Sequence, residues 1–212
     1  MVWKDLDRDF RWSLDAPRLL DLAERAIFMI GLAIFFYTNL HSRDPANLAL
    51  IANNVITTIF ILFRRRAVSV STSPMDWFFA VAGTAGAMLM RPGDGAPLLA
   101  AAPAVLVASA GFTIQLLAKL SLNRRFGVGP ANRGIQDRWV YGLIRHPMYL
   151  GYLLLQIAYL LRNPSPFNLV VFSVTWACQI ARILREERFL MSDPEYRRYT
   201  AQTRFRLLPL LF

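Results

Sequence analysis

The chain has 212 residues, 55% of them hydrophobic, and a formal net charge of +10. With a mean hydropathy of +0.35, it is too apolar for an ordinary soluble domain of this length. A single cysteine, Cys178, excludes an intramolecular disulfide framework, and the distant pair His41 and His146, with no HxxxH spacing, gives a zinc site little support.

The N-terminus does not read as a cleaved signal: Asp5, Asp7, Asp9 and Asp15 dilute its basic character. Trp3, Leu6, Phe10 and Leu14 recur at helical spacing, which predicts a short amphipathic helix over residues 2–15 lying at a membrane surface; a frayed tail is the bland alternative. Six apolar segments follow, at roughly 20–40, 47–63, 76–90, 97–118, 147–161 and 167–184. A crossing needs about 20 residues, which the fourth segment meets easily and the third, fifth and sixth do not. The third holds Gly83 and Gly86, a small-residue surface suited to close helix contact within one chain or between two. Asn163-Pro164-Ser165-Pro166 ends the fifth segment and starts the sixth, which predicts a tight helical hairpin.

The basic residues alternate between loops. The N-terminal segment holds Lys4, Arg8, Arg11 and Arg18, and the loop after segment two holds Arg64, Arg65 and Arg66. The loop after segment four holds Lys119, Arg124, Arg125, Arg133, Arg138 and Arg145, and the tail holds seven arginines from Arg182 to Arg206. The opposite loops carry only Arg43, Arg91 and Arg162. This asymmetry speaks for membrane orientation rather than nucleic acid, and predicts an all-α, polytopic protein with about six membrane segments and both ends in the cytoplasm. The loop over 119–146 contains Gly127, Gly129, Pro130 and Gly134 and is long enough to be functional or mobile. In the tail, Asp193 caps a helix with Pro194 at its first position, and an apolar run from Leu207 to Phe212 folds back on the protein or the bilayer.

Two stretches carry chemistry. In R-H-P-M-Y-L-G, Arg145 to Gly151, Pro147 suits a first helical turn, so Arg145 and His146 stand beside unsatisfied N–H groups that favour anions. Tyr149 lies deeper, and Gly151 leaves room for something to approach the backbone. A purely structural role is the competing reading, with Arg145 and His146 reaching lipid phosphates and Tyr149 in an aromatic belt. In R-I-L-R-E-E-R-F-L, Arg182 to Leu190, Arg182 and Glu186 can pair on one helical face, and Glu187 lies about 100° around from Glu186. A solvated face laced with salt bridges is the alternative there. The predicted hairpin makes the two stretches neighbours, so His146 and Tyr149 face Glu186 and Glu187. An anion-binding helix start, two carboxylates and an aromatic suit a zwitterion that also carries a cation, of which S-adenosylmethionine is one; other amphoteric ligands match as well.

R-H-P-M-Y-L-G, then R-I-L-R-E-E, E-Y-R-R-Y and R-L-L-P in that order, resemble the isoprenylcysteine carboxyl methyltransferase family, whose broader relatives include membrane phospholipid N-methyltransferases. The resemblance covers roughly 111–209. It divides the chain into an N-terminal part (1–110) and a methyltransferase-like core (111–212). It implies a membrane-embedded enzyme using S-adenosylmethionine, with a helical-hairpin core and a cytoplasm-facing tail that closes over the cofactor. By motif, it implies cofactor binding by Tyr141, Arg145, His146, Tyr149, Leu150, Gly151, Glu186, Glu187, Tyr199 and Arg206, and catalytic roles for Arg182 and Glu187. The chain departs from the family's Gly-Pro-Tyr-Arg run: Tyr141 keeps the tyrosine, and Trp139, Val140 and Gly142 replace its neighbours.

Methyl transfer from a sulfonium is an in-line displacement, so the protein mainly aligns donor and acceptor and excludes water. A carboxylate acceptor needs no base; an amine or thiol must lose a proton, which Glu187 or His146 could take. Arg182 or Arg145 could hold an acidic acceptor. The expected partners are the lipid bilayer and a lipophilic methyl acceptor, with no nucleic acid and no metal. Two rival readings remain: a membrane sterol or enone reductase using reduced nicotinamide, which shares an R-H-P-x-Y stretch, and a non-catalytic membrane protein.

Overall fold

The computed structural model describes residues 22–39, 42, 44–63, 69–70, 73–93, 95–123, 131–132 and 135–207. The helix expected over 2–15, His41, Arg43, Arg64, Arg65 and Arg66, the glycines over 127–134 and the apolar end over 208–212 lie outside these residues.

Among the described residues the chain forms α1 (Leu22–Asn39), α2 (Pro45–Phe63), α3 (Pro74–Ala85), α4 (Ala101–Leu122), α5 (Pro147–Arg162), α6 (Pro166–Leu190) and α7 (Pro194–Gln202). Every one of these helices except α1 and α4 begins on a proline, whose missing N–H costs nothing in a first turn. Short 3-10 turns extend α3 (Gly86–Leu89) and precede α5 (Trp139–Gly142). By length and composition α1, α2, α4 and α6 can each cross a membrane. Helices α3 and α5 are shorter, about 18 and 24 Å at 1.5 Å per residue, against a hydrocarbon core of about 30 Å.

The connections sort into two ends. At one end the links α1–α2 and α5–α6 meet: Arg162 Nε donates to Asp44 Oδ2 at 2.6 Å, and Asn163 Nδ2 donates to Asn47 Oδ1 at 2.8 Å. The segment after α3 joins them there through Asn168 Nδ2 to the Arg91 carbonyl at 2.7 Å and Leu98 N to Leu161 O at 2.8 Å. At the other end the basic links after α2 and α4 pair as a two-residue antiparallel ladder, Ser69 with Asn132 and Val70 with Ala131.

The predicted hairpin forms, with Ser165 Oγ accepting from Asn168 N at 3.1 Å to cap α6. It is less tight than the sequence implies. Helix α5 packs mainly along α4, and α6 mainly along α3. Glycine pairing explains the choice. A Cβ on Gly151 would lie 2.7 Å from the Gly111 carbonyl oxygen, and one on Gly111 would lie 2.9 Å from the Gly151 carbonyl oxygen. Gly83 and Gly86 meet Gln179 and Thr175 of α6 in the same way, so the small-residue surface of α3 is used within the chain. Between α5 and α6 the ties are polar, as in Trp176 Nε1 donating to Gln156 Oε1 at 3.0 Å.

The buried face of α4 runs Ala104, Ala108, Gly111, Gln115, Ala118 and Lys119, a stripe at helical spacing. Lys119, assigned to the following loop from sequence, is therefore inside the helix and fully buried. The helix continues to Leu122 because α2 offers the ammonium two acceptors, Asn53 Oδ1 and Thr57 Oγ1.

Gly151→Ala is expected to force α4 and α5 apart and cost about 1–3 kcal/mol. Thermal unfolding of the purified protein in detergent should show the loss, and the same substitution at the exposed Gly142, whose added Cβ would sit 3.3 Å from the Asp137 carbonyl oxygen, should cost less.

Candidate functional site

The site assembles where the start of α5, the last turns of α6 and the tail after α7 converge. Arg145 N donates to Phe205 O at 2.9 Å and His146 N to Arg206 O at 2.8 Å, so the tail lies alongside the residues that lead into α5. Pro147 begins α5 with His146 as its N-cap residue. Tyr199 of α7 donates its hydroxyl to the Tyr141 carbonyl at 2.8 Å, fixing the 3-10 turn against the tail. Burial pushes the phenols of Tyr141, Tyr196 and Tyr199 up, so they remain neutral donors and apolar walls.

Glu187 is the hub, at 4% exposure. Its Oε1 receives Arg145 Nη1 at 2.9 Å and His146 Nε2 at 3.1 Å, and its Oε2 receives Arg206 Nε at 2.8 Å. These bonds bring together three regions that lie far apart in sequence. Glu186 faces a different set: Tyr149 donates to its Oε2 at 2.7 Å. The 100° turn between neighbouring helical positions separates the two carboxylates and gives each its own partners. The guanidinium of Arg182 lies 5.1 Å from the Tyr149 ring centre and donates to Thr84 Oγ1 on α3. One turn on, Arg185 pairs with Asp76 at the start of α3. Edge contact of the His146 and Tyr149 rings, 5.3 Å apart at 85°, completes the wall.

Most residues singled out from sequence therefore gather: Tyr141, Arg145, His146, Tyr149, Arg182, Glu186, Glu187, Tyr199 and Arg206 form one connected group. Two stand apart. Leu150 is half-buried and packs against the hydrophobic core. Gly151 spends its room on α4, where Gly111 and Gln115 fill the space a side chain would need. Arg182, one turn before Glu186, also reaches across to Thr84. Residues the sequence did not single out include Thr84, Asp76 and Gln115, whose Nε2 donates to the Met148 carbonyl at 2.6 Å. A polar residue on the buried stripe of an apolar helix was the signal available for Gln115; none marked Thr84.

The donor set suits an amphoteric ligand. Among the described residues Arg145 Nε is buried with no hydrogen-bond partner, a cationic donor open to an acceptor. Glu186 is half-buried, so its carboxylate keeps an open side toward a cationic group.

Glu187→Gln removes the charge that two guanidinium groups and an imidazole surround, and is expected to cost about 3 kcal/mol. Glu186→Gln loses one phenol hydrogen bond on a half-open carboxylate and should cost about 1 kcal/mol. Thermal melts of the two variants, run side by side, compare the costs.

Residues 98–193 match the family model for phospholipid methyltransferases. The matched stretch runs from just before α4 to the end of α6 and includes Arg145, His146, Tyr149, Arg182, Glu186 and Glu187. Phospholipid methyltransferases are among the broader relatives of the family that the sequence motifs resemble, and the match supports a membrane methyltransferase at that level. No curated protein matches the chain.

Proposed function

We propose that the protein is a multi-pass membrane methyltransferase that binds S-adenosylmethionine around Glu186 and Glu187 and methylates a lipophilic acceptor. One observation carries the reading: within a stretch similar to phospholipid methyltransferases, a carboxylate ringed by Arg145, His146 and Arg206 adjoins a second, half-open carboxylate held by Tyr149.

Bound S-adenosylmethionine supplies a methyl group already activated by its sulfonium. Arg145 and Arg206 hold the ligand's carboxylate by charge-assisted hydrogen bonds, and Glu186 its ammonium. Tyr141, Tyr149 and Tyr199 wall the site and exclude water, and their ring faces tolerate a cation. Where the acceptor is an amine or thiol, its proton goes to the Glu187 carboxylate or to the His146 imidazole; a carboxylate acceptor needs neither. The tail that binds Arg145 and His146 faces the cytoplasm in this reading, together with both chain ends, and α3 and α5 complete the six membrane segments. The acceptor reaches the site from the bilayer and the donor from water.

Titration of the purified protein with S-adenosylhomocysteine should give saturable binding, weakened about tenfold or more, 1.4 kcal/mol, by Glu186→Gln and by Arg206→Gln, whose side chain is 36% exposed, with a thermal melt of each variant to separate lost binding from lost folding. Reduced nicotinamide should not bind, which separates this activity from a reductase. Wild-type affinity in both variants would sink the proposal. Labelled donor incubated with total membrane lipid then identifies what is methylated.

A further inference from the structure

Lys119 has no task in the chemistry above, yet it is fully buried in the last turn of α4. A buried ammonium between apolar helices is expensive unless it is held. Its Nζ donates to Asn53 Oδ1 at 2.7 Å and to Thr57 Oγ1 at 2.8 Å, both on α2. The same nitrogen lies 5.6 Å from the centre of the Tyr152 ring. Tyr152 meets Tyr149 edge to face, with centroids 6.5 Å apart and planes at 84°. Tyr149 carries Arg182 at 5.1 Å and donates to Glu186. Two basic side chains from different helices therefore grip two tyrosines three residues apart on one face of α5.

We infer that Lys119, anchored by Asn53 and Thr57, is a positioning residue that sets the Tyr152–Tyr149 ring pair and, through it, the Glu186 carboxylate. The second torsion of a tyrosine is broad, so neighbours decide the angle of its ring. Here Lys119 fixes the face of Tyr152, the edge of one ring fixes the other, and the phenol hydrogen bond transmits the result to Glu186. The N-terminal helices, which lie outside the family match, thereby take part in the site. A lysine that merely ties α2 to α4 would alter stability and leave Tyr149 where it is. The inference rests on the methyltransferase reading only in its binding arm.

The test uses the full chain in lipid nanodiscs with 3-fluorotyrosine at position 149 and no ligand. Lys119→Met should move the fluorine resonance, as Glu186→Gln does from the other side. Asn53→Leu, which removes one acceptor and keeps the lysine, should move it by a smaller amount. If Lys119→Met does not fold, Asn53→Leu decides. A resonance unchanged by the folded Lys119 and Asn53 variants but moved by Glu186→Gln overturns the inference. In the binding arm, Lys119→Met should weaken S-adenosylhomocysteine about tenfold with Tyr149 present and less than about twofold in a Tyr149→Phe background. Equal losses in both backgrounds overturn it. A wild-type chain that binds no S-adenosylhomocysteine defeats the methyltransferase reading, and the fluorine arm alone then settles the role of Lys119.

Discussion

A carboxylate taken out of water must be neutralised, and the arrangement around Glu187 follows from that constraint. Its partners come from the residues before α5 and from the tail after α7. Meeting the demand of one buried charge therefore folds the tail back across the entrance to α5, where Phe205 and Arg206 carbonyls also take the N–H groups of Arg145 and His146. The N–H groups at this helix start thus find acceptors in the tail. Buried ion pairs contribute little to stability relative to apolar packing, but removing one partner is costly. That asymmetry makes the cluster a device for fixing geometry.

The apolar bundle explains how that geometry reaches the membrane. Glycines at 111 and 151 let α4 and α5 approach to backbone contact, and Gly83 and Gly86 make room for the Gln179 and Thr175 side chains of α6. The two tight pairs are bridged by polar ties, Gln156 to Trp176, Tyr149 to Glu186 and His146 to Glu187. The last of these ties belong to the site itself. Helix α6 has 25 residues, about 37 Å long, so its end projects beyond a hydrocarbon core of about 30 Å. Counted from Pro166, that excess is the last five residues, which begin with Glu186 and Glu187.

Local chemistry made much of this legible in the sequence. Prolines that open helices, the Asn163–Pro166 hairpin link and the Asp193 cap act over a few residues and read directly. The site was legible because R-H-P-M-Y and R-I-L-R-E-E have spacings that matter within single helices, and the hairpin placed them together. The partners of each helix were less legible. That α5 lies along α4 rather than α6 depends on Gly111 and Gly151 facing each other across 40 positions, and a lone glycine in an apolar run does not announce its neighbour. Lys119 was misplaced for a related reason: charge at the edge of an apolar segment reads as loop, and only Asn53 and Thr57, distant in sequence, make its burial tolerable.

The division of labour between the two carboxylates bears most directly on the proposed chemistry. Adjacent acids on one helix repel if they share surroundings, and one of them then takes up a proton. Here the helical turn sends Glu187 among two guanidinium groups and an imidazole, and Glu186 toward a phenol and the solvent side. The first carboxylate is buried within its partners and the second is half-open. A ligand carrying both an anionic and a cationic group can therefore use both halves at once, adding an acceptor where Arg145 has a donor to spare and a cation where Glu186 is open. A simple anion would meet the second carboxylate at close range, and a simple cation would meet the guanidinium groups. The pairing of unlike electrostatic halves thus selects for amphoteric ligands through repulsion as much as attraction.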